Sequence, residues 1–341
     1  MCVGGMAMKK GLIVLAALLI VASFTVSGHA QSLFNIWPGG MPAFGGGPGA
    51  CGPAGPRLFD PPVFYIGWME SLRRVSWSFA DPDPGGRFGG KHNFDVAGLW
   101  LGLEQKINLT ETCGLDLDGW VLIPSNRRGS ELEAGVSTVL VGGGPTTTTI
   151  AVPGGRTWNT RAEWWYLDAA ATCAFCTPLK AIAGFRYEHF SVRFDNASDN
   201  FGIVSTTGDE ADLTINSYLP FVGLQTTAGG PASNVSVRFI GFPWAPANVT
   251  HSETGISGLG SRIDSTGNWN RSYFWEIFAE YNRSVAANMG IGAFFRWNVL
   301  HGQKDLSATL PSGLAVSSDA AFDRSTMTFG GSFSLNFGSP L

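Results

Sequence analysis

The chain is poor in charge. Only 14% of its 341 residues are Asp, Glu, Lys or Arg, and the formal net charge is −4. Lys and Arg are few and scattered, so there is no basic footprint and nucleic acid is not an expected partner. Beyond the N-terminus no apolar run approaches the roughly 20 residues of a spanning helix, which excludes a bundle of membrane helices. The P-loop, the G-x-S-x-G elbow, the H-E-x-x-H helix and zinc-type Cys/His spacings are all missing. No catalytic residue, metal or cofactor is therefore assigned. Cysteine is sparse as well, with five in the whole chain.

Glycine and aromatics fill the gap: 46 Gly, 12 Trp and 12% aromatic residues, a mixture that suits neither a disordered chain nor a helical enzyme. Lys9-Lys10 precede an apolar run from Gly11 to Val26 and the small residues Ser27-Gly28-His29-Ala30. Residues 1–30 therefore read as a secretory signal peptide cut after Ala30. Residues 31–62 are Gly/Pro-rich and read as a flexible periplasmic lead-in, with the folded part at 63–341.

Cys2 leaves with the signal, and Cys51, Cys113, Cys173 and Cys176 remain. An even number in an exported chain favours disulfides, with three pairings open. Cys173-Ala174-Phe175-Cys176 has redox spacing but lies in a predicted hairpin turn without a βαβ context, so a structural bridge or a local loop is the expectation.

The clearest pattern runs from Ser272 to Leu300. Tyr273, Trp275, Ile277, Ala279 and Tyr281 alternate with Phe274, Glu276, Phe278, Glu280 and Asn282. After a turn at Arg283–Asn288, Met289, Ile291, Ala293, Phe295, Trp297 and Val299 alternate with Gly290, Gly292, Phe294, Arg296 and Asn298. Period two sends one row to each face of a hairpin. Each arm has about the 9–11 residues that a tilted strand needs to cross a bilayer, with aromatics towards the ends of the apolar row.

Similar alternation appears in a first strand (Val63 to Phe79), in hairpins turning near Thr112, Phe175 and Gly229, and in a last strand from Met327 to Phe337. Loops are expected at Pro124 to Asn159, Asp195 to Asp212, after Pro243-Trp244-Ala245-Pro246, and from His301 to Asp323. The count is about ten strands, with short turns on one side and long connections on the other. The expected fold is all-β: a closed antiparallel transmembrane barrel of about ten strands, with short periplasmic turns and long outer loops. Trp and Tyr then form interfacial belts against outer-membrane lipid.

With its signal, turn asymmetry and a final strand ending Phe333-Ser334-Leu335-Asn336-Phe337, the chain from Val63 onward resembles Gram-negative outer-membrane β-barrel proteins. The resemblance implies an outer-membrane location. It also implies that the barrel-insertion machinery reads the last strand, although here Gly338-Ser339-Pro340-Leu341 follow the terminal aromatic.

The strand count also resembles that of the omptin proteases, which carry Asp-Asp and Asp-His pairs at the outer rim. Asp116-Leu117-Asp118 falls on the periplasmic half, and His189 and His301 have no inward Asp close by in sequence, so no catalytic residue carries over.

The inward row holds Glu104, Lys106, Asp116, Asp118, Asp168, Lys180, Arg186, Glu188, Arg238, Glu276, Glu280 and Arg296. In a ten-strand barrel these either plug the lumen as paired charges or line a narrow pore that passes ions or small solutes. The sequence thus supports a small porin-like channel or a plugged structural and surface-interaction barrel. An omptin-like rim-site hydrolase and a secreted soluble β-sandwich adhesin stand as alternatives.

Overall fold

The computed structural model describes residues 58–335 apart from 72–74, 81–88, 125–126, 134–135, 138–149, 152–155, 177, 200–210, 231, 255–261, 270, 287–288 and 310–314. The expected signal peptide, Cys51 and most of the lead-in lie outside the described residues. Among the described residues there are seventeen strands, and most are segments of ten longer ones. In chain order they are β1 (Val63–Ser71), β2 (Val75–Ala80), β3 (Gly89–Phe94), β4 (Ala97–Asn108), β5 (Cys113–Pro124) and β6 (Arg127–Glu133). A small separate hairpin follows, β7 (Val136–Ser137) with β8 (Ile150–Ala151). Then come β9 (Arg156–Cys176), β10 (Leu179–Asp199), β11 (Ala211–Gly230), β12 (Ser233–Phe242) and β13 (Ala247–Thr254). The chain closes with β14 (Arg262–Asn268), β15 (Arg271–Ala286), β16 (Met289–Thr309) and β17 (Ala315–Leu335).

The wall closes on itself twice. In the lower ring β1, β4, β5, β9, β10, β11, β12, β15, β16 and β17 pair in that order, every pair antiparallel, and β17 returns to β1. In the upper ring β2, β3, β6, β9, β10, β11, β13, β14, β16 and β17 do the same. Both rings have ten strands, the number expected from the sequence, and neither leaves an edge to be satisfied by water. A stacked open sandwich is thereby excluded. The strand ends at Asn108 and Cys113, Cys176 and Leu179, Gly230 and Ser233, and Ala286 and Met289 lie at one end with Val63 and Leu335. Gly229 adopts φ 117° where β11 runs into its turn, a left-handed value suited to glycine.

Three expectations about loops are corrected. Pro243-Trp244-Ala245-Pro246 does not open a long loop; it is a short break within one wall strand, and β13 resumes on the far side. The break is tied down, since Ser272 Oγ accepts from Ala245 N at 2.9 Å and donates to Ala245 O at 2.6 Å, while Tyr218 N donates to Pro246 O at 2.8 Å. Proline removes ladder donors, so the strand is interrupted there rather than ended. Likewise β6 and the start of β9 occupy both ends of the stretch Pro124 to Asn159, and β16 and β17 pair through most of the stretch His301 to Asp323.

The strands are longer than the sequence suggested because the alternation changes sign along them. On β10, Ala183 and Phe185 face outward while Arg186 and Glu188 are buried inside. Four residues further, Phe190, Val192 and Phe194 are the buried row, and His189, Ser191 and Arg193 lie outside. The same exchange separates Val222 and Leu224 from Leu213 and Ile215 on β11, and Phe329 from Phe322 on β17.

A strand of 21 residues is about 70 Å long. A tilted wall of that length is far taller than an apolar band of about 25 Å. The lower half therefore carries its oily face outside, against hydrocarbon, and the upper half stands clear with its oily face inside. Water does not tolerate an outer wall with Ile66, Phe239, Ile291 and Phe329 exposed together.

An arginine at Phe295, on the outer face of the lower ring, should cost about 2–4 kcal/mol of unfolding free energy in lipid vesicles. The same residue at exposed Ser307, higher on β16, should change stability by no more than about 0.5 kcal/mol. Urea titration of the refolded barrel followed by Trp fluorescence measures both.

Aromatics collect where the pattern changes sign. Trp275 and Trp297 meet edge to face with centroids 4.6 Å apart, Tyr273 stacks on His301, and Trp165, Tyr187 and Tyr218 adjoin across β9, β10 and β11. Indole and phenol rings with one wet end suit the edge of a bilayer.

Candidate functional site

The inner wall carries the chemistry, and it is layered. At the end with the short turns is a polar cavity of about 200 Å³, lined by Lys106, Asp116, Lys180, Gln225, Glu280 and Asn282 among others. Its rim is stitched: Cys113 on β5 pairs with Cys173 on β9 as a disulfide, and Ala174 N donates to Thr112 O at 2.7 Å. Of the three pairings the sequence left open, the register thus selects the one that joins neighbouring wall strands. The last lead-in residues reach the same rim. Phe59 bridges to Ile107, and Asn108 Nδ2 donates to Asp60 Oδ1 at 2.8 Å.

Above the cavity, Tyr65 OH donates to Glu104 Oε2 at 2.8 Å and lies 3.3 Å from Glu280 Oε2. Lys106 Nζ pairs with Glu104 Oε1 at 2.6 Å, and Ser332 Oγ donates to Glu280 Oε1 at 2.9 Å.

The next layer is an ion-pair cluster centred on Glu276, which is 0% exposed. Arg186 donates Nη1 to Glu276 at 2.9 Å and forks onto Asp168 through Nε (2.6 Å) and Nη2 (2.7 Å). Arg238 donates twice to Asp118 Oδ2 at 3.1 Å and lies 3.7 Å from Glu276. Arg296 Nε lies 3.5 Å from the same carboxylate, while its Nη1 donates to Tyr166 OH. Asn298 adds a bond to Glu276 Oε2 at 3.2 Å. Higher still, Arg324 joins Glu188 at 2.7 Å and Asn298 Oδ1 at 3.0 Å.

Four arginines, Arg186, Arg238, Arg296 and Arg324, thus face four carboxylates, Asp118, Asp168, Glu188 and Glu276. Because the signs balance, buried guanidinium and carboxylate groups are paired rather than left to select passing ions. The planar cations also lie on aromatic faces: Arg186 on Tyr166 at 3.9 Å, Arg296 on Trp120 at 3.9 Å and Arg324 on Trp164 at 3.8 Å. Above them an apolar core of Phe94, Phe190, Phe194, Trp269 and Phe322 fills the upper ring. Trp269 lies flat over Gly302, where a side chain would leave it no room.

All twelve residues singled out from the sequence fall on this inner wall, but in two groups. Glu104, Lys106, Asp116, Lys180 and Glu280 surround or overlie the cavity. Asp118, Asp168, Arg186, Glu188, Arg238, Glu276 and Arg296 form the ion-pair cluster. Sequence reasoning passed over Arg324, Tyr65 and Tyr166. Parity could have found Arg324, which shares an inward row with Thr328 on β17, but it lay next to a stretch read as loop.

The candidate acid pairs are divided between layers. Asp118 is held by Arg238 whereas Asp116 faces the cavity, and Glu276 is held by arginines whereas Glu280 bonds Ser332. Neither is a shared proton-transfer pair. His301 does meet a carboxylate, Asp323, at 2.5 Å, but on the outer wall; His189 bonds Asn216 at 2.8 Å.

No family model and no curated protein matches the chain. Solved structures do. The outer-membrane protease OmpT of Escherichia coli is similar with a TM-score of 0.60 and 11% identity, covering 81% of this chain and 97% of that one. The translocator domain of the autotransporter NalP from Neisseria meningitidis gives 0.34 and 11% identity over 80% of this chain and 88% of that one. A FadL homologue of Pseudomonas aeruginosa gives 0.29 and 8% over 82% and 91%. At such identities the OmpT likeness speaks for the fold alone. In fold, the chain is a closed ten-strand barrel of the Gram-negative outer-membrane type.

Proposed function

We propose that the chain is a plugged outer-membrane barrel, a structural or surface-interaction protein that holds a stiff β-scaffold and its connecting loops outside the cell. One observation carries the reading: the interior is closed by the balanced cluster around Glu276 and, above it, by the apolar core. A porin needs a continuous aqueous path, and wide ones need about 16 strands or more. On this reading the signal at residues 1–30 exports the chain, the barrel-insertion machinery takes up β17, and the lower band sits in outer-membrane lipid.

Refolded protein added to a planar bilayer should give no stepwise current, while the same preparation shows heat-modifiable gel mobility. Reproducible unitary conductance from folded protein would reverse the proposal in favour of a narrow porin.

A further inference from the structure

Of the charged side chains that line the cavity at the turn end, Asp116, Lys180 and the exposed Glu111 are not used by the barrel itself. Asp116 is 6% exposed and Lys180 is exposed, both line the cavity, and among the described residues neither has a hydrogen-bond or ion-pair partner. Their neighbours are committed: Lys106 to Glu104, Asp60 to Asn108, and Glu280 to Ser332 and Tyr65.

Asp116 and Lys180 flank β9 on either side. Asp116 on β5 is opposite Ala170 of β9, and Lys180 on β10 is opposite Ala174 of the same strand, so Lys180 lies nearer the rim. Asp116 lies in the field of Lys106 and Lys180 but accepts no hydrogen bond from either, so its carboxylate is open to a cation that can donate to it directly. Lys106 and Lys180 against Asp60, Glu111, Asp116 and Glu280 leave the lining with a formal charge of −2, which directs an ammonium inward. Lys180 at the mouth then supplies a partner for an anion that enters behind it.

We propose that this cavity binds a small zwitterion carrying a primary ammonium and a carboxylate, of the size of an amino acid or dipeptide. The ammonium sits on Asp116, with Thr172 and Asn282 within the same lining, and the carboxylate faces Lys180. A metal ion suits the site less well, because no group of three ligating side chains forms among the described residues. The bridge between Cys113 and Cys173 holds the rim in place before the ligand arrives, which lowers the ordering cost of binding. The inference does not depend on whether the layers above conduct.

Isothermal titration of the full chain, refolded in non-ionic maltoside micelles, tests it with glycylglycine, ethylammonium chloride and sodium acetate as probes. Glycylglycine should bind, and acetate at least about tenfold more weakly. Asp116→Asn should weaken glycylglycine about tenfold or more, and Lys180→Met about three- to tenfold. Ethylammonium should respond to the first substitution and ignore the second. Heat-modifiable mobility of both variants shows that they are folded, and if either fails to fold, the ranking of the three probes on the unaltered chain decides. Absence of heat with glycylglycine at about 10 mM, where even a weak site would respond, overturns the proposal. So does acetate binding as tightly as glycylglycine, or indifference to both substitutions.

Discussion

Replacing Glu276 by alanine should lower the unfolding free energy of the barrel by about 3–5 kcal/mol, the cost of removing one partner from a buried ion pair. Glu276 has no exposure, accepts from Arg186 and Asn298, and has Arg238 and Arg296 within 4 Å. Without it, Asp168 still balances Arg186 and Asp118 still balances Arg238, but among the described residues Arg296 retains only Tyr166 as a hydrogen-bond partner, with the Trp120 and Phe278 faces. A buried guanidinium has no neutral form to retreat into, since it stays protonated at any working pH. The structure must then relax or admit water.

Glu276→Gln keeps the shape and loses the charge, so it should fall between alanine and the parent. Urea titration of refolded protein, read by Trp emission and by loss of heat-modifiable mobility, gives the ranking. A loss below about 1 kcal/mol for Glu276→Ala would mean that the cluster does not close the lumen in the way described.

Phe322→Ala should be comparably damaging, at about 3–5 kcal/mol. A Phe that faces lipid loses only contacts that lipid tails can remake. Phe322, on the same strand as Phe329, is enclosed by protein: it is 0% exposed, with Phe190 and Trp269 at centroid distances of 5.5 and 5.6 Å. Truncation leaves a cavity inside a closed wall whose strands cannot collapse without breaking their ladder. Phe329→Ala, with Phe329 56% exposed on the outer face, is the matched control and should cost far less. Equal losses at the two positions would contradict an exchange of the oily face between lower and upper halves.

Much of the wall was legible because its rule is local. A strand alternates residue by residue, so the Tyr273–Tyr281 row, the Met289–Val299 row and the four short turns could be read without knowing what they faced. The upper half was legible by the same rule but with the faces exchanged. On β10, Ala183 and Phe185 are one oily row, while Phe190, Val192 and Phe194 are the other; a reading that holds one face oily along the whole strand takes the second row for loop. The proline break at 243–246 misled for a related reason. Proline predicts where the ladder loses a donor, whereas the bonds from Ser272 to Ala245 that carry the chain across come from another strand.

What the sequence determined by itself was the period of two, the strand number and which residues face inward. These follow from each strand's own geometry and need no partner. Only the tertiary structure decided who meets whom inside. Arg186 reaches Glu276 across 90 positions, Arg238 reaches Asp118 across 120 and Arg324 reaches Glu188 across 136, each spanning the lumen between strands that are not neighbours in the wall. The pairing of Cys113 with Cys173 has the same origin. Ring closure sets the stagger of every strand against the next, and that stagger fixes which charges stand at one height.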